Sequence, residues 1–107
     1  MPNGPARHTA MALRDDLPMY YVYLLQSRKD GKLYTGYTDN LKRRLAEHSE
    51  GKNVSARSRL PLDLIYYEAY VSQTDATARE SRLKDSSGAR TALSRRLMKS
   101  LRQDRSV

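Results

Sequence analysis

The chain has 107 residues and contains no cysteine, no tryptophan and no phenylalanine. Without cysteine there can be no disulfide, thiolate metal site or thiol nucleophile, and the composition suits a reducing compartment such as the cytoplasm. The five glycines are scattered, so a glycine-rich phosphate loop is excluded. The only histidines are His8 and His48, which leaves no Ser-His-Asp set. No apolar run approaches the roughly 18–20 residues that cross a bilayer, and the first eighteen residues lack the apolar core of a signal peptide. The expectation is a soluble protein with no membrane partner. Acidic residues are also in deficit, twelve against twenty lysines and arginines.

The resulting net charge of +8 points to a polyanion, above all nucleic acid, as partner. The surplus sits mainly at the C-terminal end, where residues 79–107 hold nine basic residues against Glu80, Asp85 and Asp104. All aromatic content is tyrosine, eight residues in number. A buried tyrosine takes a hydroxyl with it, so some of these rings should do more than pack.

At this length a single domain is expected. Residues 1–18 hold three of the four prolines and read as a disordered extension, with the domain at 19–103 and a short tail at 104–107. Met19, directly before the first strand, offers an alternative start of translation. Tyr20–Ser27 reads as a central strand, apolar on both faces. Asp30-Gly31 supplies a tight turn into a partner strand over Lys32–Tyr37, in which Gly36 marks a close backbone approach. A helix follows, capped by Thr38 or Asp39 and closed by Gly51. Leu41 and Leu45 face the sheet, and Arg44 and His48, one turn apart, converge on one spot. A basic loop holds Lys52, Arg57 and Arg59. The third strand covers Leu62–Tyr70, with Glu68 as a polar interruption. A second helix runs from a cap at Thr74 or Asp75 to about Lys84, and Ser86-Ser87-Gly88 breaks it. A third helix covers Ala89–Arg102, with Leu93, Leu97 and Leu101 as its stripe. The fold class is α+β, a three-stranded sheet flanked by helices in the order β-β-α-β-α-α.

Within the second helix Ala76, Glu80 and Leu83 recur at core spacing, which puts a carboxylate on the inward stripe. Such a group costs free energy unless paired or metal-bound. One reading pairs Glu80 with Arg79, Lys84 or a strand; the other makes it the ligand of a hard divalent cation. Tyrosines, an arginine and a carboxylate on a basic chain suit phosphodiester chemistry, in which cations neutralise phosphate and a base activates water.

The ordered set Tyr21-Val22-Tyr23, Tyr34-Thr35-Gly36, Arg44, His48 and Glu80 resembles the GIY-YIG nuclease superfamily, in particular its small stand-alone bacterial members. The similarity spans about Tyr20 to Leu101. The resemblance implies an endonuclease hydrolysing DNA phosphodiester bonds with one Mg²⁺ or Mn²⁺. Glu80 would hold the metal, Arg44 the phosphate, and Tyr23 and Tyr34 would activate and position water beside His48. Gly36, Tyr37, Lys52, Arg57, Arg59, Arg95, Arg96 and Lys99 would contact nucleic acid. A structure-selective or repair-associated activity, with a protein partner supplying specificity, belongs to the same expectation. The alternative is a non-catalytic nucleic-acid-binding module on the same fold.

Overall fold

Strand β1, Tyr20–Ser27, alternates between two faces that are both covered, and every residue from Val22 to Ser27 is buried. This is the burial expected of a central strand. A computed structural model describes residues 18–52, 57–58 and 60–101. The expected N-terminal extension up to residue 17, Arg59, Arg102 and the tail lie outside the described residues. Strand β2, Leu33–Thr38, and strand β3, Leu62–Tyr70, flank β1 in the antiparallel order β2-β1-β3. The register sets Gly36, Tyr23 and Tyr67 in one row across the sheet. Ile65 is skipped where the β1–β3 register shifts, since Leu24 pairs with Tyr66 and Leu25 with Leu64.

The β1–β2 turn forms locally. Ser27 Oγ accepts from the backbone N–H groups of Lys29 and Asp30, at 3.0 and 3.2 Å, and Gly31 takes a φ of +74°. That left-handed conformation is one a residue with a Cβ adopts only with strain.

Helix α1, Leu41–Ser49, lies on the face of the sheet to which Tyr23 points. Its cap is Asn40, whose Oδ1 accepts from Arg43 N–H at 3.0 Å, rather than Thr38 or Asp39. The Thr38 hydroxyl instead ties the preceding turn to Asn40 N and O. Helix α2, Gln73–Asp85, and helix α3, Ser87–Arg96, lie on the opposite side, where Ala76, Leu83 and Leu93 close a core with Val22 and Leu24. Ser72, not Thr74 or Asp75, caps α2. Ser86 ends α2 and caps α3, so Ser87 and Gly88 open the third helix instead of separating it. That helix also stops sooner than its leucine spacing suggested. After Arg96 the chain continues in turns, with Ser100 and Leu101 N–H bonded to Leu97 O, so the apolar stripe outlasts the helix.

Candidate active site

Gly36 and Tyr23 fix the centre of the site. They face each other across β1 and β2, and a Cβ built on Gly36 would overlap Cζ, Oη and Cε1 of the Tyr23 ring. The glycine therefore lets the phenol of β1 lie down across the edge strand. The close approach expected at Gly36 is this ring, and any other residue would push it away. Tyr23 Oη ends 3.0 Å from His48 Nε2 on α1. The His48 imidazole, itself 3% exposed, also meets the rings of Tyr23 and Tyr34 edge-on, at 5.9 and 5.6 Å between centroids.

A cleft of about 440 Å³ runs along the open edge of β2, lined by Tyr23, Tyr34, Gly36, Arg44, Glu80 and Lys84 among others. Helix α1 reaches it from one face of the sheet with Arg44, and α2 from the other with Glu80. Tyr37 and Leu33 belong to its wall. Five chemistry-bearing residues from four elements thus meet at one place: Tyr23, Tyr34, Arg44, His48 and Glu80. Arg44 Nη1 pairs with Glu47 at 3.4 Å, yet its Nε is buried without a hydrogen-bond partner, as is His48 Nδ1. Buried polar atoms left in this way are costly in a folded protein and commonly mark functional positions.

Burial pushes the Tyr23 phenol up to about 12, although the Arg44 guanidinium acts to lower it. Burial likewise lowers the His48 pKa, reinforced by Arg44 and opposed by Glu47. Near neutrality the pair is a protonated phenol beside a neutral imidazole. His48 is therefore not a cation that ionises its neighbour; it can accept a proton instead.

Glu80 stands where helical spacing placed it, on the stripe of Ala76 and Leu83, with its side chain 21% exposed and its Oε2 2.9 Å from Lys84 Nζ. Among the described residues it is the sole carboxylate lining the cleft, and no cluster of three or more His, Cys, Asp and Glu could enclose a metal. One carboxylate at an open cleft fits a hard cation that keeps its waters and takes further oxygens from a phosphate. It does not fit a caged or thiophilic metal.

The remaining candidates are dispersed. Lys52 pairs with Glu50 at 3.1 Å, and Arg57 Nε donates to Gly51 O at 2.8 Å; neither lines the cleft. Arg95 and Arg96 part company on α3, Arg95 toward the β1–β2 turn and Arg96 toward Arg79 and Arg82. Lys99 is exposed beyond the helix.

Glu68, read from sequence only as an interruption, is an anchor. It accepts from both Tyr66 and Tyr70 hydroxyls and from Arg79 in bidentate fashion, at 2.9–3.1 Å. The Tyr-x-Glu-x-Tyr spacing, which sets three polar groups on one face of a strand, was the available signal. Arg79 immediately precedes Glu80, so the clamp fixes the turn of α2 that presents the carboxylate.

A family profile described as the GIY-YIG catalytic domain matches residues 19–93. A UPF0213 protein of Streptococcus pneumoniae serotype 4 is 45% identical over 65 residues, which are 60% of this chain and 65% of that protein's length. The UPF0213 protein NP_0776A of Natronomonas pharaonis is 43% identical over 72 residues, 66% of this chain and 84% of that one. The solution NMR structure of the UPF0213 protein BH0048 from Bacillus halodurans is similar at 35% identity and a TM-score of 0.48, over 74% of this chain and 84% of its own.

Proposed function

We propose that this chain, which belongs to the GIY-YIG catalytic-domain family, hydrolyses phosphodiester bonds in nucleic acid, with DNA the foremost substrate. The observation that carries the reading is the meeting of Tyr23, Tyr34, Arg44, His48 and Glu80 around Gly36. Glu80 would hold one divalent cation, Mg²⁺ or Mn²⁺, which when bound supplies Lewis-acid polarisation of the phosphate. Arg44, with its Nε unpaired, takes a non-bridging phosphate oxygen and counters the charge that develops there.

The proton path follows from the resting states of the two buried groups. On this reading Tyr23 donates its phenolic hydrogen to Nε2, 3.0 Å away, of a His48 tautomer that carries its own proton on Nδ1. As the phenol takes a proton from the attacking water, it passes its own to His48. The tyrosine therefore never needs to be a free phenolate at neutral pH, which burial disfavours. Tyr34, against the same imidazole, positions the water. A cytoplasmic role in repair or in cutting branched structures, with a partner protein supplying specificity, completes the proposal.

A second reading is favoured by one contact. Lys84 Nζ already satisfies Glu80 at 2.9 Å, as an internal cation would. On that reading the protein binds nucleic acid without turnover. Nicking of supercoiled DNA in Mn²⁺ or Mg²⁺ separates the two. Cleavage abolished by chelator and by Glu80→Ala is expected; equal cleavage by the Glu80→Ala protein, or salt-sensitive binding with no cleavage on any substrate, overturns the nuclease reading.

A further inference from the structure

Two concavities meet at Leu33. Besides lining the catalytic cleft, it lines a larger groove of about 800 Å³ between the β1–β2 turn and α3. Ser87, Thr91 and Ser94 recur at helical spacing along the α3 wall, and Met98 extends the row from the turns beyond the helix. Among the described residues three cations line the groove, Lys32 from the turn and Arg90 and Arg95 from α3, and no aspartate or glutamate does. Arg90 is held in place, since its Nη1 donates to the carbonyls of Leu83 and Lys84 at the joint of α2 and α3. Beside this charge lie apolar side chains that the fold leaves open, with Leu33 38% and Met98 66% exposed.

Charge alone would suit any nucleic acid. The apolar surface narrows the choice. A duplex turns its phosphates outward and hides its base faces, so Leu33 and Met98 would gain little from it. An unpaired strand offers base faces and phosphates together, which is how proteins hold single strands. The size agrees, since about 800 Å³ falls within the roughly 300–1,000 Å³ of sites for small organic molecules, the scale of unpaired nucleotides.

We infer that this groove carries a single strand of nucleic acid leading to or from the catalytic cleft, so that the substrate has an unpaired segment adjoining the point of cleavage. The inference rests on the nuclease reading for the position of the cleft, and it is tested without turnover. Fluorescence anisotropy of the full chain in chelator compares a blunt DNA duplex with the same duplex carrying a short unpaired tail.

The tail tightens binding by the wild type. Met98→Ser removes about fivefold of the affinity for the tailed duplex and leaves the blunt one unchanged. Arg95→Ala flattens the dependence of log affinity on log salt for the tailed duplex by about 0.7. Both side chains are exposed, and unchanged melting temperatures verify that the fold is kept. Equal binding of tailed and blunt duplexes, or a tail preference indifferent to Met98→Ser and Arg95→Ala, overturns the groove. A responsive tail preference in a protein that never cleaves overturns the nuclease reading and keeps the groove. An unresponsive one in a protein whose cleavage needs Glu80 does the reverse.

Discussion

At the scale of single residues, a hydrogen atom decides whether the site can form. Gly36 carries one where any other residue carries a Cβ, and the Tyr23 phenol occupies that space. Gly36→Ala should displace the phenol from His48, and a misplacement of that order costs about a hundredfold in kcat. Single-turnover cleavage beside a melting curve checks that activity falls far more than stability. His48→Gln should keep the ring's volume and a polar contact to Tyr23 but accept no proton, lowering kcat by about 10²–10⁴. The pH profile is the diagnostic readout. His48 has its pKa lowered below 6.5, so wild-type activity should hold through neutrality and fall only as pH drops through the lowered value. His48→Gln should lose that acid limb. The same group affects stability with a definite sign. As pH falls below about 6.5 the unfolded chain takes up a proton the folded one resists, so stability is lost progressively down through the folded pKa.

Elements are set by different devices. Helix α2 must present Glu80 to a cleft on the edge of the sheet, and its rotation is held by Arg79 on Glu68. Burial raises the Glu68 pKa, but hydrogen bonds from Arg79, Tyr66 and Tyr70 outweigh it and hold the carboxyl below its ordinary 4.5. The stabilisation is therefore present above 4.5 and lost as pH falls through the folded value. Arg79→Ala should cost about 1–3 kcal/mol and raise the metal concentration needed for cleavage, because α2 is freed to turn. The surface pair of Arg28 with Asp63, equally bidentate, should matter much less, since Arg28 is exposed. Urea titration of both variants makes the comparison. Ser86 serves two helices at once, and Ser86→Ala should cost about 1 kcal/mol from loss of the α3 cap.

At the scale of the whole molecule, the surplus of positive charge bears on the proposed binding of nucleic acid. Binding to nucleic acid should weaken linearly in log salt, with a slope of about −0.9 per duplex phosphate contacted. Among the described residues the cations are not spread as one uniform face, because Arg95 and Arg96 turn to opposite sides of α3 and Lys52 and Arg57 are engaged within their own loop. Replacing cations in turn and measuring the slope should find Arg95 contributing to it more than Lys52.

What could be read from the chain alone follows the range of the forces involved. Strands β1 and β3 begin and end where alternation and turn residues put them, and Gly31 takes the left-handed φ its turn requires, because neighbours in sequence settle these. Ala76, Glu80 and Leu83 share a face through helix geometry alone. The ordered tyrosines, Arg44, His48 and Glu80 were legible for the same reason, as a pattern along a line. The helix caps went to Asn40, Ser72 and Ser86 rather than to their polar neighbours because where a helix starts depends on where it docks. Periodicity says which face of an element is buried but not what comes to meet it. Only packing could bring Tyr23 over Gly36, lower the His48 pKa by burying it, hand Arg79 to Glu68 and Lys84 to Glu80, and open a groove beside Leu33.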